Sequence, residues 1–133
     1  MGLAEGQSLP LAMSLSSASP HEVTLVDSLL QQPFIEQNPQ RLIGDGAFDS
    51  DPMDQQLVEQ GIELIAPHRE GRVKPPTQDG RPLRRYHHRW KIERLWAWLQ
   101  NYRRIVVRYE RYADNYLGFV HLGCLLILVR TYL

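Results

Sequence analysis

The sequence predicts an α/β domain with alternating strands and helices in its first half and a helical second half. Two observations carry this. Short apolar runs at residues 9–15, 41–45 and 62–67 are separated by segments that open with helix-start residues, and strand–helix alternation argues for a sheet with helices packed on it. From residue 83 onward the apolar residues recur at helical spacing instead. The chain has 133 residues, 43% hydrophobic and 23% charged, which suits one modest folded domain with one core and excludes a disordered chain.

Taken in order, residues 1–7 show no helix cap and no clear strand. Residues 9–15 (Leu-Pro-Leu-Ala-Met-Ser-Leu) alternate weakly and read as a strand, with Pro10 placing it at an edge or a strand start. Ser19, Pro20 and Glu22 form a helix-start signature. That helix would bury Val23, Val26, Leu29 and Leu30 and end near Pro33. Residues 41–45 read as a buried strand closed by Asp45, and Gly46 permits a tight turn after it. Ser50 or Asp51, with Pro52 just inside, starts a helix over Met53, Leu57 and Val58 that Gly61 closes. Residues 62–67 form the next strand. Residues 68–82 are polar, carry Gly71, Pro75, Pro76, Gly80 and Pro82, and read as a mobile loop. Helices are expected at about 83–101 and 113–131, while the β-branched run within 102–111 fits an extended segment as well.

The single cysteine, Cys124, excludes an internal disulfide and a cysteine-rich zinc site, and its apolar surroundings indicate a buried thiol. No signal-peptide pattern is present. Residues 117–133 are the most apolar stretch, but they are short for a membrane span and include His121 and Arg130. A buried core helix in a cytoplasmic protein with no membrane partner is the expectation. The net charge of zero hides an asymmetry. Residues 1–66 carry one Lys/Arg against ten Asp/Glu, whereas residues 67–133 carry fourteen against five. An acidic half beside a basic half suits metal cations next to a polyanion, and equally suits two halves that attract each other across the fold.

The most informative stretch is residues 86–104. On a helix, Tyr86, Arg89, Glu93 and Gln100 share one stripe, and Ile92, Leu95 and Leu99 share a core-facing one. Glu93 thus lies on a helix held by a core, among cations. Asp45 closes a strand 48 positions earlier. Carboxylates from a strand end and a nearby helix can converge to bind Mg²⁺ or Mn²⁺ through oxygen. Two such ions roughly 4 Å apart activate a nucleophile and stabilise a leaving oxygen in phosphodiester chemistry. Arg89 and Lys91 would then hold backbone phosphate. The bare pattern also fits an exposed helical ion pair around Glu93.

Two motifs add to this pattern. Residues 43–50 (Ile-Gly-Asp-Gly-Ala-Phe-Asp-Ser) resemble the second-aspartate motif of bacterial insertion-sequence transposases with a DDE catalytic triad. Tyr86, Arg89, Glu93 and Gln100 resemble that group's Tyr-Arg-Glu-Lys signature around the third acid, and the likeness continues through residues 101–112 and 115–119. The resemblance implies a ribonuclease H-like fold and divalent-metal-dependent cutting of transposon ends and joining to target DNA. It implies Asp45 and Glu93 as the second and third catalytic, metal-holding acids, with Glu5 in the slot of the first. It implies DNA contacts from Tyr86, Arg89, Lys91, Arg94, Arg103 and Arg104. Two departures stand out: Gln100 replaces the signature lysine, and Glu5 replaces an aspartate with little chain before it. The chain therefore reads as the C-terminal part of such a catalytic domain with an incomplete sheet. Residues 1–67 form the strand/helix half, 68–82 the loop and 83–133 the basic helical half.

Other residues have plainer roles. His87 and His88 are consecutive and point apart on a helix, His21 suits a surface helix start, and Asp49 and Asp51 suit caps or first-turn acids. Among Trp90, Trp96 and Trp98 at least one belongs in the core, and Trp90 is placed to stack a base. The alternative to a transposase is a non-catalytic remnant that binds DNA or pairs with a full-length transposase or a second copy.

Overall fold

The computed structural model describes residues 1–34, 39–75 and 82–133. Within these lie two two-stranded sheets. Strand β1 (Gly2–Ala4) pairs antiparallel with β2 (Pro10–Met13), with Leu3 opposite Ala12. Strand β3 (Arg41–Ile43) pairs parallel with β4 (Glu63–Ile65), with Leu42 opposite Leu64. Strand β1 was not expected from residues 1–7. Three residues are too few to show alternation, and pairing with β2 is what orders them. Pro10 opens β2, where its missing N–H costs least.

The first helix begins later than its cap signature suggests. A 3₁₀ turn at Glu22–Leu25 follows His21, and α1 (Val26–Leu30) comes next, burying Val26, Leu29 and Leu30. Helix α2 (Asp51–Glu59) starts after Ser50, has Pro52 in its first turn and ends before Gly61, whose φ of +75° suits a residue without Cβ. It buries Met53 and Leu57 and turns Val58, 64% exposed, to solvent. Strand β3, α2 and β4 thus form a parallel strand–helix–strand unit, the alternation expected of an α/β chain.

Residues 82–101 are not one α-helix. A 3₁₀ segment at Pro82–Arg89 leads into α3 (Trp90–Leu99). The ambiguous stretch contains a four-residue helix, α4 (Arg103–Val106), and the chain ends in α5 (Ala113–Tyr132). The expected loop at 68–82 is described as far as Pro75, and there it is pinned by hydrogen bonds rather than free. Residues 76–81 of that loop, including Pro76 and Gly80, lie outside the described residues.

The described residues form two apolar clusters. Leu95 and Leu99, with no exposed surface, anchor one with Leu9, Met13, Ile105, Val120, Cys124 and Ile127. Cys124 is buried as expected, and burial pushes its thiol up to about 11. The other joins Val26, Leu30, Leu42, Met53, Leu57, Ile62, Leu64 and Ala66. Strand β1 lies between them: Leu3 packs on the second cluster and Ala4 on the first. Helix α5 docks tightly where Gly123 faces α3 and α4, since a Cβ there would lie 2.7 Å from Ile105 Cδ1. Its other face is apolar and open, with Leu122, Leu125 and Val129 exposed, so only one side of the expected core helix is buried. By length and composition alone α5 could cross a membrane. A cavity of about 520 Å³ lies between β1 and β3, lined by both strands and by Leu29, Leu30, Met53 and Ile92.

Leu99→Ala is expected to lower the unfolding free energy by about 2–5 kcal/mol in denaturant titrations. Val58→Ala is expected to change it by less than about 0.5 kcal/mol.

Candidate active site

Asp45 lies one residue beyond β3, after Gly44. Its carboxylate accepts the Ala47 N–H (2.9 Å) and caps a 3₁₀ turn at Gly46–Phe48. The turn is crowded from behind. A Cβ on Gly44 would come within 2.8 Å of the Phe48 ring, so only glycine lets Phe48 close over the strand end. Glu93 stands in the first turn of α3, on the exposed side opposite Leu95 and Leu99.

Arg89 brings these two acids to one place. Its Nη2 lies 3.6 Å from Glu93 Oε1 and 3.9 Å from Asp45 Oδ2. Its Nη1 donates to the Tyr86 hydroxyl at 3.3 Å. That hydrogen bond, together with the Asp45 and Glu93 charges, raises the Arg89 pKa against the opposing effect of burial. The expected stripe therefore holds locally although its first half is 3₁₀ rather than α. A guanidinium already lies between the two carboxylates, which marks a position where positive charge is favoured. Oxygen donors from two acids are the set a hard divalent cation uses together with water and phosphate. Asp45 and Glu93 supply two of the oxygen donors that such a cation would use.

Glu5 does not join them. It sits in the β1–β2 turn, where its Oε1 accepts the Gln7 N–H at 2.9 Å, so the carboxylate folds back on its own turn. It lines the same cavity as Asp45 and Arg89, yet among the described residues no group of three His, Cys, Asp or Glu side chains is placed to hold a metal.

The basic residues divide. Lys91 lines the cavity wall beside Arg89, and Arg103 is exposed at the start of α4. Arg94 has internal duties instead. It donates to Ser8 Oγ and Gln7 O, both at 2.8 Å, and its guanidinium lies over the Trp90 and Trp98 rings. It ties α3 to the hairpin. Arg104 pairs with Glu110 at 3.1 Å and lies over Tyr109 and Phe119. Trp98 packs on the core while Trp90 is exposed. Burial, His87 and nearby cations lower the His88 pKa.

One cluster was missed as such. Asp49, read from sequence as a cap or first-turn acid, has a side chain only 7% exposed and accepts from three partners: Arg72 Nη1 at 2.7 Å, His68 Nδ1 at 2.9 Å and the Arg69 N–H at 2.9 Å. Asp51 takes Arg72 Nη2 at 2.6 Å and Lys74 at 3.1 Å. No spacing rule links residues 49–51 to 68–74; the only signal was two acids in one half and three cations in the other. His68 Nε2 is buried with no hydrogen-bond partner among the described residues. A neutral ring with its proton on Nδ1 leaves only an acceptor lone pair unpaired there, which costs less than an orphan N–H.

A family profile described as "Transposase DDE domain" matches residues 2–128. The chain belongs to the DDE transposase domain family. It is 35% identical over 132 residues to a Burkholderia cepacia protein assigned as the transposase of insertion sequence element IS402, covering 92% of this chain and 58% of that relative. It is 33% identical over 91 residues to a Brucella ovis protein assigned likewise for IS6501, covering 67% of each. This DDE domain chain thus spans little more than half the length of the first relative. No solved structure matches it significantly.

Burial alone would raise the Asp49 pKa, but hydrogen bonds from Arg69 and His68 and the charge of Arg72 outweigh it and hold the carboxyl below its usual value. Such a group adds stability above the unfolded pKa of about 3.9, and that stability is lost as pH falls through the lower folded value. Acid unfolding below about pH 4 should therefore be shallower in Asp49→Asn than in the parent when both are followed by circular dichroism.

Proposed function

We propose that this chain is the metal-holding part of an insertion-sequence transposase that cuts DNA and joins it to a target. The observation that carries the reading is Arg89 lying between Asp45 and Glu93. Membership of the DDE transposase domain family supports it. The fold proposed is ribonuclease H-like, supported by that membership and by the parallel β3–α2–β4 unit. Asp45 and Glu93 would hold Mg²⁺ or Mn²⁺, which supplies activation of the attacking oxygen and stabilisation of the leaving one.

The chain's own groups have separate tasks in this reading. Asp45 and Glu93 would hold the cation through their carboxylate oxygens. Arg89 and Lys91 grip backbone phosphates beside them, and Tyr86 orients Arg89 through its hydroxyl. Trp90 offers an exposed ring for a base freed from the duplex. Arg103 and Arg104 extend the phosphate contacts along α4. The partners are transposon-end and target DNA in the cytoplasm, together with a second copy or a full-length transposase.

A second reading, a remnant that binds DNA or a transposase without cutting, is favoured by Glu5. Its carboxylate is turned away, and no three-acid group is formed among the described residues.

Calorimetric titration with Mn²⁺ should show binding that Asp45→Asn and Glu93→Gln each abolish. The parent should nick supercoiled DNA in Mn²⁺, with at least about a hundredfold loss in either variant. DNA binding without nicking or Mn²⁺ heat selects the remnant. Arg103→Ala with Arg104→Ala should weaken DNA binding and reduce the slope of log K against log salt by about 1–2.

A further inference from the structure

The 3₁₀ turn after Asp45 is short and weakly held by its own backbone. It has the Phe48 N–H to Asp45 O bond at 3.0 Å and the Asp49 N–H to Gly46 O bond at 3.3 Å. Bonds of this kind have poor geometry, and an isolated turn of three residues opens readily. Yet the turn decides where the Asp45 carboxylate points, because that carboxylate is tied to Ala47 N inside it.

A segment from beyond β4 grips the same turn from outside. Arg69 Nε donates to Gly46 O at 2.9 Å and Arg69 Nη2 to Ala47 O at 2.6 Å, occupying the two carbonyls that follow Asp45. The Arg69 N–H, His68 and Arg72 converge on Asp49 at the end of the turn. Arg72 continues to Asp51, so the strap also fastens the first turn of α2. The planar fork of arginine suits two neighbouring carbonyls in a way a lysine ammonium does not.

We infer that residues 68–72 form a strap that fixes the direction in which Asp45 presents its carboxylate, with Arg69 and Asp49 as positioning residues for the acid pair. The role assigned to Asp45 rests on the metal-holding function proposed above; the strap itself rests on geometry. Neither Arg69 nor Asp49 touches Arg89 or Glu93 in the contacts of the described residues, so both act through Asp45. The strap also gives this loop a task that its glycine- and proline-rich composition conceals.

Amide hydrogen exchange by NMR on the whole chain tests the strap directly. Asp49→Asn and Arg69→Gln should each speed exchange at Ala47 and Phe48 by about tenfold or more, while Leu99 in α3 keeps its parent rate. Arg69 is exposed, so its variant remains informative if Asp49→Asn fails to fold. Unchanged protection at Ala47 and Phe48 in Arg69→Gln overturns the proposal. So does a loss spread equally to Leu99, which would mean general destabilisation. Mn²⁺ titration of the same variants should show affinity reduced about tenfold with the Tm of the Arg69→Gln chain little changed. A parent chain that binds no Mn²⁺ refutes the metal reading of Asp45, and the exchange rates still decide the strap.

Discussion

Arg89 stands 3.6 Å from one carboxylate and 3.9 Å from another, and the two belong to different halves of the chain. Asp45 comes from the acidic half at the end of β3, and Glu93 from the basic half on α3. One apolar cluster lies within the acidic half, and the other packs Leu9 and Met13 of that half against Leu95, Leu99 and Cys124 of the basic half, so apolar packing and charge together set the register between halves. At the site this register is expressed by a single guanidinium, by β1 lying between the clusters, and by Arg94 binding the hairpin turn. Charge separation along the sequence thus becomes charge contact in the fold. Exposed pairs of this kind are worth only about 0–1 kcal/mol each. Their importance here is geometric, since they bring carboxylates from the two halves beside one guanidinium.

Rigidity at the site is distributed unequally. Glu93 inherits the stiffness of α3, whose Leu95 and Leu99 are fully buried. Asp45 has no such support from its own element, because a strand of three residues and a 3₁₀ turn contribute little alone. Support arrives instead from the 68–72 segment and from Phe48 closing over Gly44. A loop that composition alone marks as irregular is therefore part of the framework of the acid pair. The Asp49 carboxylate, nearly buried, is tolerable only because three donors surround it.

Much of this is legible in the sequence. The alternation of strands and helices, Ser50 and Pro52 at the start of α2, the glycine after it, and the core-facing stripe of Ile92, Leu95 and Leu99 follow from local patterns. The two motifs around Asp45 and Glu93 pointed to the family that the profile match then established. The misreadings share a cause. Strand β1 is too short to show a period, and the 3₁₀ start before α3 has the composition of an α-helix. The apolar length of α5 suggested full burial, whereas one face of it remains open.

The sequence by itself determined the elements, the order of the acids and the kinship, because each is encoded over a few turns or a few residues of chain. Only the tertiary structure decided which charges meet. It placed Arg89 between Asp45 and Glu93, turned Glu5 back onto Gln7 and drew Arg94 inward to Ser8. It also carried Arg69 and Arg72 across more than twenty positions to the turn beside Asp45. Those pairings depend on how loops without periodic signal bring distant segments together, and no spacing rule along the chain contains that information.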